Sequence, residues 1–391
     1  MERVEQEKLR GFWREIVHAA GDDAAGVNKS LVVTHLLSDR PYFLEALHRV
    51  APIACVFAKP KSIDRAAYHR AANDFRIVTA DRKALAASGE VDKMISGLGL
   101  DREPTVAVDI GGYFAPGLGE LAASVSLRGV VEDTENGQQK YEEKMGTEFP
   151  CPVFSAARSP LKNAEDYLVG HSVVFSTEAL MRSRGDVLQG RSACVIGFGK
   201  VGRSIAHLLR NHGVQIAVHD IDPVPLTEAH AHGFAVYSDL SEALSGAGII
   251  MCATGNLALT NEYFDEVQAG AYVVSVTSSD DELELAPLKE RYERNRVATD
   301  IVRYRRRCES RGKAHFFFVL NNGEAVNFLH GAVVGPAIQL VQAEIVMSVA
   351  RLASGRAFDR SQVIGLEKED RATIARIWLE HFSRKGAKHE S

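Results

Sequence analysis

The sequence has no cysteine pair at metal-binding or redox spacing. Its five cysteines, Cys55, Cys151, Cys194, Cys252 and Cys308, lie far apart and form no CxxC. A zinc ribbon and a disulfide framework are therefore not expected, and an odd thiol count fits a reducing compartment. The chain also lacks a basic excess: 46 Lys and Arg against 51 Asp and Glu leave a net charge of −5. Neither nucleic acid nor an anionic membrane surface is an expected partner, because both need a basic face. No apolar run reaches the length of a membrane span. The opening Met-Glu-Arg-Val-Glu-Gln-Glu-Lys is charged where a signal peptide needs an apolar core. A soluble cytoplasmic protein is expected.

What is there is an ordinary globular composition over 391 residues, with 46% hydrophobic and 25% charged. That length predicts two or three domains. Short β-rich runs alternate with helical patterns, which predicts parallel α/β layers. Leu31–Thr34, Ile53–Phe57, Phe75–Val78 and Thr105–Val108 form a first set, with a helix-like stretch at Tyr42–Val50. Ala193–Ile196, Val214–His219, Gly248–Cys252, Ala271–Val274 and Arg296–Thr299 form a second. Helical patterns at His171–Arg184 and Ala337–Ala353 flank the second set. The division expected is 1–170, 171–330 and a C-terminal segment 331–391.

Gly197-Phe198-Gly199-Lys200-Val201-Gly202 is a GxGxxG motif between an apolar strand and an amphipathic helix. Asp220 ends the next strand, 18 residues after Gly202. The full constellation is the dinucleotide fingerprint of a Rossmann-type domain. Gly197 allows the tight turn, Gly199 lets backbone approach the pyrophosphate, and Gly202 lets helix and strand pack. The start of the helix offers N–H groups to phosphate. Asp220 accepts ribose hydroxyls and repels a 2′-phosphate, so NAD is the expected cofactor. Thr254-Gly255-Asn256 follows a strand and is placed to line the cofactor; Asn327 offers an amide for the nicotinamide carboxamide. His219, His230 and His232 have no carboxylate or cysteine at ligand spacing, so no metal is expected. Arg303, Arg305, Arg306 and Arg307, with Arg311 close by, read as a charged loop between strands, a phosphate grip being the alternative.

Several of these stretches, in order and spacing, resemble the S-adenosylhomocysteine hydrolase family. They are the run 197–223, Ala-Thr-Gly-Asn at 253–256, Val-Arg-Tyr-Arg at 302–305 and Gly-Glu-Ala-Val-Asn at 323–327. Upstream, Glu132-Asp133-Thr134 resembles that family's Glu-Glu-Thr loop. The segment 159–166 resembles its substrate-site stretch, with Lys162 four residues before Asp166. His35, Asp39 and Glu45 resemble the stretch opening with its His-Met-Thr. The resemblance is dense over about 129–345 and thin before that.

The resemblance implies NAD-dependent oxidation of a ribose 3′-OH, followed in the family by loss of the 5′ thioether, water addition and re-reduction. It implies that Lys162 and Asp166 bind the sugar hydroxyls, with Lys162 assisting deprotonation of the 3′-OH. Asp133 and Thr134 would contact the ribose, His35 would do acid–base work at the 5′ side, and Asp39 would meet the base edge. It also implies a two-lobed α/β fold, with a substrate domain beside the Rossmann NAD-binding domain. The C-terminal helices would return to the substrate domain or a neighbouring subunit, in a homodimer or homotetramer. Read from residue types alone, Lys162 and Asp166 are the i,i+4 pair of a solvated helix face, and His35 is equally catalytic or structural.

Three places depart from the family. Ser278-Ser279 stands where the family has Gly-His. Asp-Asp-Gly-Gly reads Asp109-Ile110-Gly111-Gly112, leaving Asp109 as the carboxylate nearest the missing proton acceptor. Val333-Val334-Gly335-Pro336-Ala337 replaces Gly-His-Pro-Ser. Sugar-oxidising groups are kept and eliminating groups are changed. The expectation is therefore a nucleoside-like small-molecule substrate and a reaction other than ordinary S-adenosylhomocysteine hydrolysis. The alternatives are a catalytically silent NAD-binding regulatory relative and a 2-hydroxyacid dehydrogenase. The second leaves Glu132–Thr134 and Lys162–Asp166 without a role.

Overall fold

A computed structural model describes residues 3–21, 29–79, 81–144, 149–277, 282–307, 315–331 and 333–383. The chain divides into two compact units, one formed by 1–162 with 336–391 and the other by 163–335. The expected boundary at 170/171 falls inside one continuous helix, Lys162–Arg182. That helix starts nine residues before the helical pattern at His171, because its first two turns carry Lys162, Asn163, Glu165 and Asp166, whose charge and polarity hide the apolar period.

In the first unit, strands β1 (Lys29–Leu36), β2 (Ile53–Ile63), β3 (Ile77–Thr79), β4 (Pro104–Asp109), β5 (Ser126–Glu132) and β6 (Val153–Ser155) come from the N-terminal part. A two-residue strand, Val363–Ile364, comes from the C-terminal part. The sheet is entirely parallel, in the order Val363–Ile364, β6, β5, β4, β1, β2, β3. Its strands are apolar on both faces, as a sheet covered on both sides requires. Val32, Val56, Val106, Val108 and Val131 face one core. Leu31, Val33, Phe57, Ala107 and Val130 face the other. Helices Arg3–Ala20, Arg40–Val50, Ile338–Ala353 and Lys368–Phe382 cover the first face. The C-terminal helices thus return to the first unit. Ile338–Ala353 is buried at every residue but Arg351, which explains its apolar content.

The second unit has β7 (Ser192–Ile196), β8 (Gln215–His219), β9 (Ala235–Tyr237), β10 (Ile249–Cys252), β11 (Tyr272–Ser275), β12 (Tyr292–Ala298), β13 (Ile301–Arg306) and β14 (Phe316–Leu320). Their order is β12-β13-β14-β11-β10-β7-β8-β9. The six strands from β9 to β14 in that order are the doubly wound Rossmann arrangement, with β12 and β13 added antiparallel at one edge. The arginine run is corrected here: Arg303, Arg305 and Arg306 lie within β13, not in a loop. Alternation hides the strand, because Val302 and Tyr304 face the core while arginines occupy the positions between. Arg306 pairs with Asp265 at 3.4 Å. Both sheets reverse direction of winding between their first strand and a neighbour, β1/β4 in one and β7/β10 in the other. In open parallel sheets ligands bind outside the strand carboxyl ends at such a point.

Candidate active site

The β7/β10 switch point carries the glycine motif. Gly197 has φ +91°, and a Cβ there would lie 2.8 Å from the Ala253 carbonyl oxygen. A Cβ on Gly202 would lie 1.9 Å from the Gly197 carbonyl oxygen, so only glycine fits. Gly199, by contrast, has nothing within 4 Å of its Cβ position. It caps the helix Lys200–Asn211 without a side-chain hydrogen bond, which leaves the first-turn N–H groups for a ligand. Val201 follows it in that turn, half-buried. Space at Gly199 beside a helix N-terminus is the cradle a pyrophosphate needs.

Asp220 is tied to this loop. Its Oδ2 accepts the Phe198 N–H at 2.7 Å and its Oδ1 the Asp222 N–H at 2.9 Å. Across the switch point, Thr254 donates its N–H and its hydroxyl to Glu282 Oε1 at 2.7 and 3.0 Å, and Gly255 donates its N–H to Oε2 at 3.1 Å. The Asn256 N–H in turn donates to the Thr254 hydroxyl at 3.0 Å. Glu282 is 1% exposed, and burial raises its carboxyl above the usual range. Sequence reading missed it, because Asp280-Asp281-Glu282 looks like a solvated acidic run. Asn327 is buried, and its Oδ1 has no hydrogen-bond partner among the described residues. An orphaned buried amide oxygen at this point fits the carboxamide role. Lys200 Nζ lies 3.7 Å from Asp166, so this lysine of the phosphate loop reaches the helix that carries the second candidate residue.

The first unit carries the other candidates except Asp166, which lies near the start of the second. His35 closes β1, and its Nδ1 meets the Ser62 hydroxyl. Its pKa lies well below the usual 6.5, first through burial and then through the charges of Lys59, Arg40 and Lys162. Lys162 itself is 9% exposed and Asp166 8%. A solvated i,i+4 pair does not match that burial. Asp133 is 8% exposed. Thr134 caps the helix Glu135–Glu142 by accepting the Gly137 N–H at 3.0 Å. Asp39 forms an ion pair with Arg40 and accepts Gln342 Nε2 at 2.7 Å.

Asp109 has a different place from the one expected. It is fully buried, and its oxygens accept the N–H groups of Tyr113 and Phe114, each at 2.8 Å, and the Tyr141 hydroxyl at 2.6 Å. Those three bonds anchor the turn after β4. Ile110 is likewise buried. Two residues to which sequence reading gave no role are central. Glu132 accepts N–H groups from Gly111, Gly112, Asp133 and Thr134 and the Thr134 hydroxyl, at 2.7–3.1 Å. Burial, with Asp109 and Asp133 near it, pushes its carboxyl up to about 8. Lys59, inside apolar β2, is 6% exposed, and burial pulls its ammonium down to about 8. For Lys59 the only signal was a charge at the end of an apolar run, while Glu132 also opens the stretch that resembles the family's Glu-Glu-Thr loop.

Of the places where the sequence departs from the resembled family, Ser278 and Ser279 lie outside the described residues. His330 contacts the Ser176 hydroxyl at 2.9 Å and packs edge-on to Phe175, in the second unit. Among the described residues no group of three His, Cys, Asp or Glu side chains could hold a metal ion. No described helix is long and apolar enough to cross a membrane.

Fold and glycine loop together define an NAD-binding protein of Rossmann type, joined to a second parallel α/β unit. Residues 166–333 match the family model "S-adenosyl-L-homocysteine hydrolase, NAD binding domain". Over these residues the chain is similar to the NAD-binding domain of that family, and its cofactor is NAD. Solved structures similar to it include a glyoxylate reductase from Paecilomyes thermophila, at 12% identity and TM-score 0.37, covering 64% of this chain and 73% of that one. Another is the pyruvate reductase of Chlamydomonas reinhardtii, at 14% identity and TM-score 0.44, covering 84% and 98%. A third is a phosphoglycerate oxidoreductase from Vibrio cholerae, at 14% identity and TM-score 0.43, covering 67% and 79%.

Proposed function

We propose that this protein oxidises the ribose 3′-OH of a nucleoside-like substrate held by the first unit, using NAD bound by the second. The observation that carries this reading is the burial of Lys162 and Asp166, two charged residues one turn apart at the start of a helix. NAD, when bound, supplies the hydride acceptor. Gly199 and the first turn of Lys200–Asn211 hold its pyrophosphate, Asp220 its adenosine ribose and Asn327 its carboxamide. Lys162 takes the 3′-OH proton, and Asp166, Asp133 and Thr134 orient the sugar hydroxyls. His35, whose pKa is lowered first by burial and then by the cations around it, accepts or donates a hydrogen bond at the 5′ side. Asp39, fixed by Arg40 and Gln342, faces the base edge.

Ordinary hydrolysis of S-adenosylhomocysteine is not part of this reading, because Ile110 is apolar and cannot take the 4′ proton. The test is absorbance at 340 nm with NAD and a panel of adenosine, S-adenosylhomocysteine, methylthioadenosine and inosine. Lasting NADH with one of them is expected, and Lys162→Met should slow its appearance by at least about a hundredfold. A Lys162→Met protein that forms NADH at the wild-type rate would overturn the assignment. Rapid cleavage of S-adenosylhomocysteine would overturn the choice of reaction.

A further inference from the structure

Three features remain outside the reading above: the aromatic stripe Tyr167, His171, Phe175 on one helix, the buried glutamines of Ile338–Ala353, and the pair Lys59 and Arg82. Only the last converges on a defined point. We propose that Lys59 and Arg82 form an anion-binding subsite of the first unit, and that the substrate carries a phosphate or carboxylate group which this subsite holds. The proposal deepens the reading of a nucleoside-like substrate and rests on it for the rest of that molecule, but not for the anion.

The geometry is local to the turn after β4. From the Cβ position of Gly111, Lys59 Nζ lies 3.3 Å away and Arg82 Nη2 3.5 Å away, with the Tyr113 ring edge at 3.4 Å. The same ring lies under both cations, its centroid 5.6 Å from Lys59 Nζ and 4.2 Å from the Arg82 guanidinium carbon. Two cations held around one point repel each other unless something negative is shared between them.

The protein's own groups do not fill that role with direct contacts. Among the described residues Lys59 donates once, to the Ile110 carbonyl at 3.3 Å, although an ammonium has three protons to give. Arg82 makes no hydrogen bond or ion pair among the described residues beyond its place over Tyr113. The carboxylates whose fields reach Lys59 are Asp133, Glu132 and Asp109. Glu132 and Asp109 are already engaged by backbone N–H groups and Tyr141. Asp133 is the residue assigned above to the sugar. A buried ammonium with unused donors, next to a planar guanidinium fork, is the donor set that suits phosphate or carboxylate oxygens. Position supports the same reading. Lys59 reaches across the end of β1 to the end of β4, and its charge is felt at His35, the residue assigned to the 5′ side.

The test is calorimetric titration of the full chain with adenosine, adenosine 5′-monophosphate, adenosine 5′-carboxylate and inorganic phosphate. Wild type is compared with Lys59→Met and Arg82→Gln. At least one anionic nucleoside should bind about tenfold or more tighter than adenosine, and each variant should remove most of that advantage. Which anionic nucleoside it is separates phosphate from carboxylate. NAD titration, which reads the second unit, checks that each variant is folded. Should Lys59→Met not fold, half-exposed Arg82→Gln carries the test alone. Equal affinity for neutral and anionic nucleosides would overturn the proposal, as would an advantage that survives in Arg82→Gln. Binding of inorganic phosphate that Arg82→Gln abolishes, with no nucleoside bound at all, would keep the subsite and reject the nucleoside reading instead.

Discussion

The Cβ position of Gly202 lies 1.9 Å from the carbonyl oxygen of Gly197, well inside any allowed contact. The first turn of the cofactor helix is therefore pressed directly onto the glycine loop. Gly202→Ala should destabilise the second unit by about 3 kcal/mol or more, since a backbone carbonyl cannot step aside. Gly199→Ala, where the space is open, should leave thermal unfolding nearly unchanged and still weaken NAD about tenfold or more by occupying the pyrophosphate's place. Thermal scans with NAD titrations on both variants distinguish a packing glycine from an approach glycine. Equal behaviour of the two would contradict this assignment.

In the reading proposed above, Asp220 sets the cofactor's ribose preference. Asp220→Ser should lose affinity for NAD and lose its discrimination against NADP, because the carboxylate that repels a 2′-phosphate is gone. The loop also loses the bond from the Phe198 N–H, so the loss of NAD affinity should exceed the gain for NADP. Fluorescence titration with both dinucleotides measures this directly.

Glu132 holds two loops at once, the one after β4 and the one that presents Asp133 and Thr134. Glu132→Gln puts an amide donor against backbone N–H donors on at least one side. A cost of about 1–3 kcal/mol in urea unfolding is expected. Glu132→Ala should cost more. An unchanged midpoint in the glutamine variant would mean that the loops do not depend on this carboxylate.

His35 makes stability sensitive to acid. Its folded pKa is depressed, by burial and then by Lys59, Arg40 and Lys162, while the unfolded value stays near 6.5. Well above pH 6.5 neither state binds the proton and full stability is present. As pH falls below 6.5 the unfolded chain takes up a proton that the folded chain refuses, and stability is lost, by up to about 1.4 kcal/mol per pH unit. The difference in unfolding free energy between wild type and His35→Gln should therefore slope between pH 6.5 and 5 and flatten above about pH 7.5. A slope on the alkaline side instead would reverse the sign of the shift.

Much of the fold was legible because its determinants are local. Apolar runs bounded by turns marked the central strands, and the strand–glycine–helix–Asp220 succession marked the NAD site. Motif spacing fixes backbone conformation over a few residues, which is why Gly197, Gly199, Gly202 and Asp220 meet at one loop and helix start. Short edge strands such as β9 and the Arg-rich β13 were not legible, because half or more of their side chains face solvent and break the apolar pattern.

The sequence by itself determined the class of domain, the cofactor loop and the residue types at Lys162, Asp166, Asp133 and Thr134. Only the tertiary structure decided which charged residues are buried. It took Lys162 and Asp166 off the solvated face and made Asp109 the anchor of a turn. It also brought Glu132, Glu282, Lys59 and Arg82 into the functional regions from positions that look like surface. The physical reason is that a charge inside the protein is tolerated only through partners supplied by other elements, here strands and turns as far apart as β2 and β5. Those partners are set by how the sheet is wound, and no local pattern encodes them.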